Sequence, residues 1–372
     1  LGDDGAAFNG GLATGLFADD LNVNLNVESE QLADELSNLS STGVTSNLLD
    51  AGIDTVGISL EEGASVDEAL GSSAEAIEAT LDQLQAIDEA GLAVTLDVLG
   101  YGAESGSHGA VGSATVSDQL AHQLVEHGLD FAQEDQLTVM VDGSGEGTHL
   151  ASSLKDLQKL GVDAVAITGS EAGWVDINLG GGSAFDGGLG EDIFADGFNT
   201  NLNVTSEQLV DELSNLSSTG VTSNLLDAGI DTVGISLEEG ASVDAALGGS
   251  AEAIEATLDQ LQAIDEAGLA VTLDVLGYGA ESGSHGAVGS ATVSDQLAHQ
   301  LVEHGLDFAQ EDQLTVMVDG SGEGTHLASS LKDLHKLGVD AVTPVADAPD
   351  WIEVNLGDDG AAFNGGLATG LF

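Results

Sequence analysis

Apolar residues recur every three or four positions over several stretches of the chain, and this spacing predicts amphipathic helices. The clearest case is residues 65–91, where apolar side chains form one stripe and acidic side chains take the other face. The same pattern predicts helices over Ser29–Leu39, Ser117–His127 and Thr148–Leu160. Glycine suits the left-handed conformation that ends many helices. A glycine follows four of the helical patterns, at Gly52, Gly91, Gly128 and Gly161.

Alternation of apolar with polar or small residues predicts short β-strands between these helices. Residues 55–59, 94–98 and 137–141 alternate in this way, which indicates strands covered on one face only. Asparagines on stacked parallel strands can satisfy each other's amides, as they do in solenoids and β-helices. We expect polar ladders of this kind, built from asparagine and acidic side chains, in segments 21–27, 174–179 and 351–356.

The whole pattern occurs twice. Residues 24–165 recur as residues 201–342, with differences at only five positions. The opening segment, 1–17, also returns unchanged as 356–372. Repeats at a fixed period are typical of stacked, array-like architectures. The sequence therefore looks like a window from a longer tandem array.

The predicted fold class is α/β, with tandem repeats that form an extended, solenoid-like, one-sided parallel sheet backed by helices and joined by glycine-rich, β-roll-like linkers. The alternative is a (βα)₈ barrel assembled from two half-barrels, because the two copies together supply about eight αβ units. The predicted divisions are linker A at 1–23, the first α/β repeat at 24–178, linker B at 179–200, the second repeat at 201–355, and the start of a further linker A at 356–372.

The charge of the chain limits the classes of partner that it can bind. It carries 65 Asp and Glu residues against four lysines and no arginine, which gives a formal net charge of −61. Such a chain repels nucleic acid and anionic membrane surfaces, and it attracts cations that screen or bind its carboxylates. No apolar run approaches the length of a membrane span, so membrane insertion is not expected. The absence of cysteine suits a secreted bacterial protein that folds without disulfides.

Linker B contains a candidate calcium motif. Gly187–Ala195 fits the G-G-x-G-x-D-x-U-x nonapeptide of calcium-binding β-rolls at every specified position. Asp192 and backbone carbonyls such as that of Gly190 would supply the hard oxygen ligands that Ca²⁺ prefers. Linker A has a degenerate version, in which Gly15 replaces the aspartate. The candidate calcium ligands are Asp192, Gly190 and Asp196 in linker B, followed by Asp19, Asp20, Asp3 and Asp4 in linker A.

Other motifs match known sites poorly. The glycine-rich loop 142–150 lacks the spacing and the lysine of a phosphate-binding loop, and its acidic residues would repel phosphate. His122 and His127 are five residues apart, whereas zinc-binding helices of the H-E-x-x-H type place their histidines four apart. We therefore expect these histidines to form ordinary surface hydrogen bonds.

The near-identical repeats, the nonapeptide, the lack of cysteine and the acidic charge together resemble the long tandem-repeat proteins that bacteria export by type I secretion. That group includes RTX adhesins, S-layer proteins and extracellular filament proteins. The resemblance implies calcium-dependent folding outside the cell and a structural or adhesive task. Asp192 is the residue that it assigns by direct match to the motif.

The sequence thus predicts a protein that is not an enzyme: a structural repeat segment of an extracellular filament or surface-layer polymer, bound to copies of itself and to divalent cations. Near-identical repeats favour this hypothesis, because an active site needs only one good copy. One alternative is an adhesin shaft that holds a distant binding module away from the cell. An alternative of another class is an α/β enzyme that uses Asp97, Asp142 and Glu146 near the ends of strands.

Overall fold

A computed structural model shows two units built from the two copies of the repeat. Unit 1 comprises Leu1–Ala172 and Leu189–Asp196, and unit 2 comprises Gly173–Gly188 and Gly197–Phe372. The chain therefore passes between the units three times, and the segment after residue 172 belongs to unit 2 rather than to the first repeat as predicted. The structure describes residues 11–18, 21–98, 112–132, 135–143, 148–168, 174–194, 198–275, 289–309, 312–319, 325–345, 351–357 and 370–372.

Unit 1 alternates short strands with helices along the chain. Its strands are β1 (Asn24–Glu28), β2 (Thr55–Leu60), β3 (Ala64–Ser65), β4 (Ala93–Val98), β5 (Ser113–Ser117), β6 (Asp130–Phe131), β7 (Gln136–Asp142), β8 (Thr148–His149) and β9 (Val162–Thr168). Its helices are α1 (Ser29–Leu39), α2 (Thr42–Ala51), α3 (Val66–Leu70), α4 (Ala74–Glu89), α5 (Asp118–Glu126) and α6 (Leu154–Leu160).

Unit 2 follows the same plan. Its strands are β10 (Trp174–Asn178), β11 (Asn199–Thr205), β12 (Thr232–Leu237), β13 (Ala241–Ser242), β14 (Ala270–Val275), β15 (Ser290–Ser294), β16 (Asp307–Phe308), β17 (Gln313–Val318), β18 (Thr325–His326), β19 (Val339–Pro344) and β20 (Ile352–Glu353). Its helices are α7 (Ser206–Leu216), α8 (Thr219–Asp227), α9 (Val243–Ala246), α10 (Ala251–Glu266), α11 (Asp295–Glu303) and α12 (Leu331–Lys336).

The strands of unit 1 form two parallel sheets, with strand orders β1-β2-β4-β6 and β3-β5-β7-β9. The chain alternates between the sheets, because β2 leads into β3, β4 into β5 and β6 into β7. Helices α3 and α4 then return the chain from β3 to β4, and α5 returns it from β5 to β6. Each sheet therefore gains its strands at one edge, in chain order.

Unit 2 repeats this topology. Strands β10, β11, β12, β14 and β16 follow one another in one sheet, and the order of the second sheet is β13-β15-β17-β19. All of these pairings are parallel, and β18 pairs with β20 in the same sense. The predicted α/β class with parallel sheets and flanking helices is confirmed. The described strands lie in five open sheets rather than in one closed sheet, so they do not form the barrel of the alternative prediction.

The apolar residues of strands and helices form the core of each unit. Val56 and Ile58 on β2 are fully buried, as are Leu81 and Leu84 on α4. The predicted one-sided sheet is wrong at β2, where Gly57 and its neighbours on both faces are buried. The polar face of this strand is covered because asparagine side chains of β1 lie across it. The equivalent strand of unit 2, β12, has the same burial.

Local signals explain where the helices begin and end. Helix α1 has the predicted bounds, and Gly52 caps α2 in the left-handed conformation with φ of 89°. The single helix predicted over 65–91 is instead two helices, because α3 ends at Leu70. Ser73 then caps α4 by accepting a hydrogen bond from the Ala76 N–H. The helix predicted over 148–160 begins only at Leu154, after a capping box.

In the part of the chain that the structure describes, no helix is both long enough and apolar enough to cross a membrane.

Candidate functional site

The described part of the linker B nonapeptide is a turn anchored to the last strand of unit 1. Asp192 lies at the tip, exposed, with φ of 56° in the left-handed region. Ile193 and Phe194 behind it are buried, with exposures of 1% and 4%. The Val165 N–H on β9 donates to the Ile193 carbonyl at 2.8 Å, and Val165 and Phe194 form a parallel bridge. The turn therefore presents the aspartate to solvent and holds it by its apolar neighbours.

Linker B differs from the predicted β-roll. Residues 179–194 contain no strand beyond that single bridge, and 199–200 belong to β11, whereas a β-roll stacks a strand from every nonapeptide. The boundary between the units also falls inside the motif, since Gly188 ends one segment of unit 2 and Leu189 opens one of unit 1. A β-roll cannot propagate here because the chain is drawn into two separate folds.

The predicted calcium ligands are only partly described. A Cβ added at Gly190 would lie 3.6 Å from Ile193 Cγ1, which is ordinary van der Waals contact. Within the described ranges, the groups of three or more His, Asp and Glu side chains close enough to share an ion do not include Asp192. The calcium site remains a prediction. Five of the predicted ligands lie outside the described residues: Asp3, Asp4, Asp19, Asp20 and Asp196.

The closing segment of the chain attaches to unit 2 as linker B attaches to unit 1. The Val342 N–H on β19 donates to the Leu371 carbonyl at 2.7 Å, and the Leu371 side chain is only 4% exposed. Val342 is the repeat equivalent of Val165, so Leu371 occupies the place of Ile193. Leu16 has the same local sequence as Leu371, yet it is 52% exposed. The tripeptide Gly-Leu-Phe, at 15–17 and at 370–372, therefore has an exposed leucine in one place and a buried leucine in the other.

A polar network covers the face of β11 and β12. The Asn201 amide donates to Asp176 Oδ1 at 3.0 Å and to Asn203 Oδ1 at 2.9 Å. Its own Oδ1 accepts from the Thr232 hydroxyl at 2.7 Å. The predicted ladder is thus confirmed between β10 and β11, whereas on β12 the facing position is Gly234. The glycine leaves room for the asparagines, because an added Cβ would lie 3.1 Å from Asn203 Oδ1, closer than ordinary van der Waals contact.

A buried carboxylate links the last residue of β4 to the residue before β5. Asp135 accepts from the Val98 N–H at 2.7 Å and from the Gly112 N–H at 3.1 Å. Burial raises the pKa of Asp135 above its ordinary value, although these two backbone donors oppose the shift. Asp312 makes the same pair of bonds in unit 2, to Val275 and Gly289.

Many other acidic side chains accept bonds from backbone N–H groups of distant segments. The Leu137 N–H donates to Asp163 at 2.8 Å, and the Ser113 N–H donates to Glu62 at 3.0 Å. In unit 2, hydrogen bonds from the hydroxyl and N–H of Ser290 lower the pKa of Glu239. Part of the acidity is therefore structural. Sequence reasoning missed this role because the donors lie 23 to 51 residues from the acids.

The candidate catalytic residues Asp97 and Asp142 lie on strands of different sheets, β4 and β7. Asp142 is exposed at the end of β7, and Glu146 lies outside the described residues. In unit 2 a cavity of about 590 Å³ opens near the carboxyl ends of β15, β17 and β19, and Asp295, Asp319 and His326 line it. Asp295 is already bonded to the backbone N–H groups of residues 328 and 329. Asp295 therefore already uses its carboxylate in hydrogen bonds within the protein.

Comparisons with known proteins identify no family. No family model and no curated protein matches the sequence. Among solved structures, the chain matches the crystal structure of a Prevotella bryantii endo-beta-mannanase/endo-beta-glucanase at 11% identity, over 77% of this chain and 62% of that chain, with a TM-score of 0.16. The matched protein is an enzyme, so this comparison does not bear out the expectation that the chain is not one. A superposition of this quality supports neither a shared fold nor a shared activity.

Proposed function

We propose that the chain is a structural repeat segment of an extracellular filament or surface-layer polymer of a bacterium, in which copies associate and calcium stabilises the linkers. The observation that carries the proposal is the equivalence of Ile193 and Leu371. Two linkers of different sequence place an apolar residue on the same backbone position of the preceding repeat. A connection that is reused in this way suits an array whose units follow one another indefinitely.

The sheet topology supports a solenoid-like array. In each unit the strands join their sheets in chain order and at one edge, so that extension needs no rearrangement of strands already in place. All the strands of these sheets are parallel, and each later strand pairs with the strand that entered the sheet before it. Repeat proteins bury a continuous core by stacking units in this way. The near-identity of the two repeats means that every junction can use the same contacts.

Charge argues for cations in the assembly. A net charge of −61 makes side-by-side packing of copies unfavourable unless divalent ions or salt reduce the repulsion. Calcium bound by carboxylates and backbone carbonyls in the glycine-rich linkers would lower that charge where chains meet.

Electron microscopy of the full chain at high concentration, with and without millimolar calcium, tests the proposal. We expect filaments or sheets whose axial repeat matches one or two units. Compact single particles at high calcium would contradict it, and unbranched strings without lateral contacts would favour the adhesin shaft. Leu371 is buried beside β19, whereas Leu16, its equivalent in the opening linker, is exposed. In an assembly we expect Leu16 to be buried in the same way against another copy, so Leu16→Asp should shorten the assemblies. Val210→Asp is the matched control on an exposed face of α7, with 78% exposure.

A further inference from the structure

Three side chains of metal-ligating types, from two different helices, meet on the surface of unit 1. Glu78 and Asp82 are one turn apart on α4, and His127 is the C-cap residue of α5. One ligand atom from each lies within 4.8 Å of the other two. Unit 2 forms the same cluster from Glu255, Asp259 and His304.

The histidine of this cluster is held in one orientation by groups outside it. His127 Nδ1 lies 2.8 Å from Gln85 Oε1, and the amide nitrogen of Gln85 donates to Glu89 at 3.3 Å. An amide oxygen only accepts, so His127 Nδ1 donates to Gln85, and Nε2 is the ring nitrogen on the side of Glu78. That nitrogen faces Glu78 Oε1 at 3.9 Å, which is too long for a hydrogen bond. His304, Gln262 and Glu266 repeat the arrangement in unit 2, at 2.7 Å and 2.8 Å.

A second glutamine positions the nearer carboxylate. The Gln123 amide donates to Glu78 Oε2 at 3.2 Å, which turns the other oxygen, Oε1, toward the histidine. Protein metal sites commonly hold their ligands by such outer hydrogen bonds, and a ligating histidine usually donates its second N–H to an oxygen. Gln300 holds Glu255 in the same way at 3.0 Å.

A neighbouring histidine shows the contrasting arrangement. His122 has a carboxylate at each ring nitrogen, with Asp156 at 3.1 Å from Nδ1 and Glu126 at 3.5 Å from Nε2. Both ring nitrogens of His122 are therefore taken by carboxylates outside the cluster. His127 instead has an amide oxygen at Nδ1, and its Nε2 lies on the side of Glu78, whose Oε1 at 3.9 Å is beyond hydrogen-bond distance. Its side chain is also more buried, at 13% exposure against 36%.

We propose that each cluster binds a divalent first-row transition ion of the zinc class, with two sites in the chain. Ligand atoms at about 2.0–2.2 Å from a tetrahedral zinc are about 3.3–3.6 Å apart, so Nε2 and Oε1 need to approach by only a few tenths of an ångström. An imidazole nitrogen selects zinc, cobalt or nickel over calcium and magnesium, which prefer oxygen ligands alone. Water completes the coordination, and the ion joins α4 to α5. This site is separate from the proposed calcium linkers.

Calorimetric titration of the metal-stripped full chain with Zn²⁺ in excess Ca²⁺ tests the proposal, because calcium occupies the sites built from oxygen alone. We expect about two zinc ions per chain, one for each cluster. The chain with Glu78→Gln and Glu255→Gln, at exposed positions, should lose this binding while its circular dichroism is unchanged. Gln85→Leu with Gln262→Leu should weaken binding about ten- to hundredfold, as loss of outer-shell support does.

The matched control is His122→Gln with His299→Gln, which removes the histidines that contact a carboxylate at each ring nitrogen and should leave both zinc sites intact. The proposal is overturned if the wild-type chain binds no zinc in excess calcium, or if the Glu78→Gln, Glu255→Gln chain binds it as well as the wild type does. Either result would leave the calcium-stabilised polymer untouched, since that proposal is tested by assembly.

Discussion

At the residue scale, Gly57 lies directly beneath two asparagine side chains of β1. A Cβ at this position would come within 2.8 Å of Asn24 Nδ2 and 3.1 Å of Asn26 Oδ1. Gly57→Ala should therefore displace the Asn24–Asn26 hydrogen bond and destabilise the protein by about 1–3 kcal/mol, the usual cost of overpacking. Denaturant unfolding of the full chain measures the change.

A glycine in open space provides the control for that substitution. Gly43 lies in α2 with no atom within 4 Å of an added Cβ. Gly43→Ala should be stabilising by about 0.5–1 kcal/mol, because alanine loses less entropy in a helix. If both substitutions had the same sign, steric contact with the asparagines would not be what requires glycine at 57.

Asp135 provides a second test at this scale. In Asp135→Asn one buried N–H, of Val98 or Gly112, loses its acceptor, which should cost about 1–3 kcal/mol near neutral pH. Burial raises the pKa of Asp135, so its pH-linked contribution to stability is fully present below the unfolded pKa and is lost as pH rises through the folded pKa. The wild-type advantage over Asn should therefore shrink across this window, as measured by unfolding at several pH values. An advantage that grows with pH would contradict the assigned shift.

At the element scale, one of the five repeat differences changes a helix cap. Thr205 caps α7 and forms a capping box with Gln208, whereas Glu28 at the start of α1 makes no side-chain cap bond. Glu28→Thr should stabilise unit 1 by about 0.5–1 kcal/mol, since part of the cap energy is offset by loss of a carboxylate near the helix N-terminus. Slower hydrogen exchange in α1 measures the gain.

The repeat supplies the reverse experiment. Thr205→Glu should speed hydrogen exchange in α7 and leave α1 unchanged, because it recreates in unit 2 the cap that unit 1 already has. If Glu28→Thr leaves exchange in α1 unaltered, neighbouring packing rather than the cap controls the fraying of this helix.

At the scale of the whole molecule, ionised carboxylates repel each other, and a bound divalent cation relieves the repulsion. A ligand specific for the folded state stabilises it by about 2.7 kcal/mol at a hundredfold excess over its Kd. Chelation by EGTA should therefore lower the Tm, and millimolar Ca²⁺ should restore it where NaCl of equal ionic strength does not. Recovery with NaCl alone would mean that the acidity is a general adaptation to salt.

Two substitutions localise this effect. Asp192→Asn removes the charge at the tip of the linker B turn, and asparagine tolerates the left-handed conformation of that residue. It should weaken the calcium response, whereas Asp88→Asn, on the exposed face of α4, should not. Equal responses in the two variants would separate calcium stabilisation from the nonapeptide.

The elements of the fold were largely predictable, and their interruptions were less so. Period-3.6 and period-2 patterns gave α1 its observed bounds and placed the strands predicted at 55–59, 94–98 and 137–141 within one residue of their ends, because these patterns depend on neighbours in the sequence. The break between α3 and α4 was missed, because the apolar stripe continues across it. The His127 cluster was missed as well, since its carboxylates lie on another helix.

The sequence by itself determined the α/β class, the parallel strands, the repeat period and the glycine at Gly52 that ends α2, all of which follow from local spacing and backbone preference. Only the tertiary structure decided which sheet each strand joins and which distant N–H group each carboxylate accepts from. Leu16 and Leu371 show the reason most directly. They share one local sequence, but only Leu371 has a partner strand, β19, and burial depends on that partner rather than on the residues beside it in the chain.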